Sequence, residues 1–83
     1  MAYEVSSQND GITICCNNIC QVAEAYFELI NSEPKVRRIN GKYIFCGGFG
    51  PYLGESVNEV LNNLRKAAEK YKTGITIRVV ANE

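Results

Sequence analysis

Val36-Arg37-Arg38-Ile39-Asn40-Gly41-Lys42-Tyr43-Ile44-Phe45-Cys46 decides the fold. Two β-prone runs flank Asn40-Gly41, and both turn residues tolerate the positive φ of a type I′ turn. The segment reads as an antiparallel hairpin, Val36 to Ile39 and Lys42 to Cys46. Toward the N-terminus, Asn31-Ser32-Glu33-Pro34 is a break, because proline cannot continue a helix and biases its predecessor away from helical geometry. Ahead of that break Ile19, Val22, Ala23, Tyr26, Phe27 and Ile30 recur at spacings of three and four. They form one apolar stripe on a helix of about three turns, with Asn17 or Asn18 as its N-cap. Gly11-Ile12-Thr13-Ile14-Cys15-Cys16 is β-branched and alternating, and reads as a strand.

Toward the C-terminus, Gly47-Gly48-Phe49-Gly50-Pro51-Tyr52-Leu53-Gly54 reads as a glycine-rich loop. Ser56 and Glu59 have the spacing of a capping box, which satisfies free amides at a helix start. Val57, Val60, Leu61, Leu64, Ala68 and Tyr71 make the buried stripe of this second helix, and Gly74 ends it. Ile75 to Val80 is the last strand, with Ile75, Ile77 and Val79 on one face.

The halves match weakly. Gly11 to Cys16 and Gly41 to Cys46 both open on Gly and place Ile fourth and Cys sixth. Asp10-Gly11 is then a second hairpin turn, with Tyr3 to Ser6 as the strand before it. The pattern is a ββα internal repeat followed by one more strand. The expected architecture is α+β. It is a single domain over residues 1–83, a two-layer sandwich with a mostly antiparallel sheet of about four to five strands and two helices on one face. The order is (β)βαββαβ, a βαββαβ plait if the first strand is absent.

Hydrophobic residues make up 46% and charged residues 22% of the 83-residue chain, which is globular rather than disordered composition. A core this small favours pairing through an apolar face, so a homodimer is expected. Nine basic side chains balance nine acidic ones. The basic excess that phosphate neutralisation demands of a nucleic-acid binder is missing. Met1 to Gln8 has neither a basic start nor an apolar run, and no stretch approaches the ~20 apolar residues of a membrane span. These features point to the cytoplasm, with the cysteines as reduced thiols.

The chain has no histidine, which removes Ser-His-Asp and Cys-His relays and the commonest metal ligand. Asp10 is its sole aspartate. Cys15, Cys16, Cys20 and Cys46 supply enough thiolates for a tetrahedral zinc site. Their spacing lacks the usual knuckle, however, and Cys15 and Cys16 point to opposite faces of a strand. They read as small buried hydrophobes, and no metal, cofactor or catalytic residue is assigned.

Two surfaces are candidates. If the helices cover Ile12, Ile14, Cys16, Ile44, Cys46, Ile75, Ile77 and Val79, the opposite sheet face carries Tyr43 and Phe45. Tyr43 and Phe45 are then partner-binding anchors, with Arg37, Arg38 and Arg78 as polar surround. The second surface is the strand-to-helix loop. There Gly47, Gly48, Phe49, Gly50, Tyr52 and Ser56 are placed to cradle a nucleotide or other anion against a helix N-terminus.

None of these motifs identifies a family. The leading expectation is a small non-enzymatic binding protein, an inhibitor or adaptor acting on another protein or on itself. By analogy of size, a viral, phage or mobile-element counter-defence protein fits this description. The alternatives are a nucleotide- or anion-binding module at the glycine loop, and RNA stacking on the open sheet face.

Overall fold

Each Asx-Gly turn closes a hairpin in the computed structural model, which describes residues 2–46 and 52–80. β1 (Ala2–Ser7) and β2 (Ile12–Cys16) pair antiparallel, with Val5 opposite Ile14. β3 (Val36–Ile39) and β4 (Lys42–Phe45) pair with Arg38 opposite Tyr43. Asn40 and Gly41 take φ of 51° and 77°, the left-handed pair that the tight turn requires. The N-terminal strand expected at Tyr3 to Ser6 is therefore present, one residue longer at each end.

Helix α1 (Ile19–Leu29) starts where the Asn18 side chain accepts from the Gln21 amide at 2.9 Å. Its stripe of Ile19, Val22, Ala23, Tyr26 and Phe27 is buried as the spacing indicates. Helix α2 (Val57–Lys70) starts at Ser56, whose hydroxyl accepts from the Glu59 amide at 3.2 Å. Only half of the capping box forms. The Glu59 carboxylate accepts instead from the Tyr52 hydroxyl, at 3.0 Å. Val60, Leu61, Leu64 and Ala68 are buried, while Val57 and Tyr71 at the helix ends are exposed. No described helix is long and apolar enough to cross a membrane.

The class is α+β, but the strands do not join in one sheet. They form two three-stranded antiparallel sheets, in the orders β2-β1-β6 and β3-β4-β5. β6 (Ile75–Val80) pairs with β1. β5 (Tyr52–Gly54) lies in the stretch read as loop. It takes the free edge of β4 and so separates the second hairpin from the first. Gly54 permits this placement: at φ 147° its backbone suits glycine, and a Cβ there would lie 3.0 Å from the Val60 nitrogen.

A second correction concerns β4. Tyr43 and Phe45 face the helices, and Cys46 is exposed, so the expected inner and outer faces are exchanged in this strand. On β2 and β6 the expected phase holds for Cys16, Ile75 and Ile77, which are buried, but the helices leave Ile12 and Val79 exposed. The reason is the area each alternative buries. Two aromatic rings bring far more apolar surface inward than Ile44 and Cys46 would. Phe45 stacks on Phe27 of α1 with ring centroids 3.8 Å apart. The matched segments Gly11 to Cys16 and Gly41 to Cys46 therefore fall in opposite burial phase: Cys16 is buried and Cys46 is not.

α1 packs on β1, β2, β3 and α2, and α2 packs on β5 and β6. Both sheets thus share one core. Its largest fully buried side chains are Val5, Val22, Phe45, Val60 and Leu64, drawn from both sheets and both helices.

Candidate functional site

With Tyr43 and Phe45 turned inward, alternation sends the intervening residues outward. The register places Arg37 opposite Ile44, Ile39 opposite Lys42, and Ile44 opposite Tyr52. These five side chains share the face of β3-β4-β5 that the core does not use. Ile39 is 44% and Tyr52 50% exposed, and Ile44 is half-buried. An apolar strip thus runs across the sheet between two cations.

The local chemistry holds Tyr52 in place. Its hydroxyl donates to Glu59, and the Lys42 ammonium lies 5.9 Å from its ring centroid. Partial desolvation, the hydrogen bond to Glu59 and the charges of Glu55 and Glu59 all push its phenol up from the ordinary tyrosine value. Lys42 also sits 4.0 Å from the Glu55 carboxylate, a solvated pair that leaves the ammonium accessible. Arg37 makes no ion pair among the described residues. Tyr52 has a second role, at the rim of a cleft of about 430 Å³ whose apolar lining includes Tyr26, Phe27, Ile30, Leu53, Leu64 and Tyr71. Tyr52 thus joins the apolar strip to a concave apolar site.

The residues expected to form a partner surface do not converge. Tyr43 and Phe45 are 8% and 2% exposed and belong to the core. This burial withdraws them as surface anchors and as a base-stacking platform. Arg38 shares the inward phase of Tyr43; its guanidinium lies 4.9 Å from the ring centroid and donates to the Tyr43 hydroxyl at 3.3 Å. Arg78 is on the other sheet, paired with Glu4. Only Arg37 stands where an exposed partner surface needs it.

Of the expected anion cradle, Gly47, Gly48, Phe49 and Gly50 lie outside the described residues. Tyr52 and Ser56 flank the start of α2. The Ser56 hydroxyl is engaged as the cap, and Glu55 and Glu59 place negative charge at the helix start. That charge opposes an incoming anion.

Among the described residues no group of three or more metal-ligating side chains gathers. Burial, then the charges of Cys15 and Glu24, pushes the Cys16 thiol up. Burial also raises Cys20, aided by Glu24 and opposed by Arg38. Both are held as neutral thiols, the unreactive form.

Ile39, Ile44 and Tyr71 were not anticipated as surface residues. One signal for the first two was present: assigning the aromatics of β4 to the core sends Ile44 and its neighbours outward. Comparison with protein-family models, curated proteins and solved structures finds no match.

Proposed function

We propose that the chain is a small non-enzymatic binding protein, an adaptor or inhibitor, that acts through the outer face of β3-β4-β5. The observation that carries this reading is Tyr52. It is a half-exposed aromatic that continues the Ile39–Ile44 strip into the apolar cleft. Aromatic anchors beside a desolvated pocket are the usual energetic centre of protein interfaces. Arg37 and Lys42 at the border select a partner whose apolar contact is flanked by carboxylates.

The test uses the double variant Ile39→Ser with Tyr52→Ala, expressed in the protein's own cells beside the unaltered chain. The unaltered chain is expected to migrate in a complex larger than the monomer, and the variant to lose the partner held by this face while its unfolding midpoint stays nearly unchanged. A complex that is a multiple of the chain mass identifies the partner as a second copy. An unaltered chain that runs as a monomer, or a variant that stays in the complex, contradicts the reading.

A further inference from the structure

Two three-stranded sheets have four edges, and three of them are blunted. β3 follows Glu33-Pro34-Lys35 and carries Arg37 and Arg38, charges and a proline that discourage strand pairing. β5 is three residues long and joins β4 through an irregular register. On β6 the Arg65 guanidinium of α2 donates to the Ile77 carbonyl at 2.9 Å, occupying part of the backbone there.

β2 carries no charge or proline, and the one side-chain contact to its backbone among the described residues is the weak one from the Cys16 thiol to the Ile14 carbonyl, at 3.9 Å. Ile12-Thr13-Ile14-Cys15-Cys16 is rich in β-branched residues. Among the described residues it is the outer strand of its sheet, with only β1 as a partner. Alternate residues of such a strand direct their N–H and C=O groups away from the sheet.

The space beside this edge is concave. Two adjoining depressions, of about 460 and about 490 Å³, follow β2 along one wall and α1 along the other, and Ile14 and Glu28 line both. One wall offers backbone hydrogen-bonding groups with Ile12 and Ile14. The other is helical and carries Gln21, Glu24 and Glu28. Asp10 stands at one end, and no lysine or arginine lines either depression. An edge strand facing a helix across a groove is the geometry by which an extended peptide adds a strand to a sheet.

We propose that the β2–α1 groove is a strand-addition site for an extended segment of another protein. That segment carries lysine or arginine at alternate positions, and its backbone pairs with β2. The cations meet Glu24, Glu28 and Asp10; the backbone supplies the affinity and the carboxylates choose the sequence. This site is separate from the outer face of β3-β4-β5 and does not depend on it. If both hold, the chain joins two partners.

The test is fluorescence anisotropy with a labelled peptide, acetyl-Lys-Thr-Lys-Val-Lys-Thr-Lys-Val-amide, titrated with the full chain. Saturable binding that weakens at least tenfold between 50 and 500 mM salt is expected. The peptide N-methylated at alternate residues, which keeps every charge but removes backbone donors, is expected to bind at least tenfold more weakly. Glu28→Lys, at an exposed position of α1, combined with Glu24→Gln, at a half-buried one, is expected to abolish binding while the unfolding midpoint holds. Amide shift changes should concentrate on Ile12 to Cys16. Four results overturn the proposal: no binding, equal binding of the N-methylated peptide, shift changes centred on β3 or β6, or a β2 edge already filled by a second copy that Thr13→Lys releases. The first two of these results do not bear on the Tyr52 surface, whose own variants leave this groove intact.

Discussion

The outer faces of the two sheets differ in what they leave unsatisfied. On β2-β1-β6, cross-strand register gathers Glu4, Ser6, Thr13, Cys15, Thr76 and Arg78, with Ala2 and Val80 at one end. Glu4 pairs with Arg78, and Ser6 and Thr13 share a hydrogen bond at 3.2 Å. Those four polar side chains are satisfied within the face, which is stable in water. On β3-β4-β5 the same alternation gathers Arg37, Ile39, Lys42, Ile44 and Tyr52. It holds apolar area, which water solvates poorly, beside cations that water solvates well. Small sheets backed by the same two helices can therefore serve different ends. One faces solvent as a finished surface, while the other keeps binding energy in reserve.

Phe45 carries the largest expected difference between the two sheets. If β4 faces inward through its aromatics, Phe45→Ala removes a core ring and destabilises the chain by about 3–5 kcal/mol, measured by chemical denaturation. Thr13→Ala, on the polar outer face, is expected to cost less than about 0.5 kcal/mol. Equal small effects would mean that the face assignment of β4 is reversed.

Next in size is Gly54. Gly54→Ala forces a Cβ against the first turn of α2 at a positive φ, and a loss of about 1–3 kcal/mol is expected. Because Gly54 aims β5, this variant should also reduce the association carried by Tyr52. Destabilisation without that loss would separate β5 from the binding surface. Asn18→Ala removes the α1 cap without touching either outer face. About 1 kcal/mol is expected, with association unchanged.

The smallest effects come from the polar face and the thiols. Glu4→Gln breaks the exposed pair with Arg78 and is expected to cost under about 1 kcal/mol, less at high salt. Thiol labelling of the native chain should modify Cys15 and Cys46 quickly and Cys16 and Cys20 slowly. The sign follows from burial. The Cys16 thiol ionises at higher pH folded than unfolded, so its contribution to stability is full below the unfolded value. That contribution is lost as pH rises through the folded value. Slow labelling of Cys46 alongside Cys16 would restore the in-phase match between the two halves.

Much of the fold was legible because its signals are local. Asn40-Gly41, the Asn18 and Ser56 caps, and the stripes of both helices act through neighbours within a few residues. The two misreadings arose where local signals are silent. Lys42-Tyr43-Ile44-Phe45 alternates apolar residues on both faces, so its phase is decided by Phe27, far away in the chain. Tyr52-Leu53-Gly54 is too short to show alternation and is a strand because β4 presents an open edge. The candidate surface inherits both facts. Arg37 and Tyr52 were singled out from the residues, but for different sites, and their shared face depends on the phase of β4.

Site-specific photocrosslinking in cells tests the binding face most directly, with a photoreactive phenylalanine analogue replacing either Ile39 or Thr76, one on each outer face. A dominant adduct of defined mass is expected from position 39, with none from position 76. Adducts of matching pattern from both positions, or none from position 39, would contradict the assignment of binding to the β3-β4-β5 face.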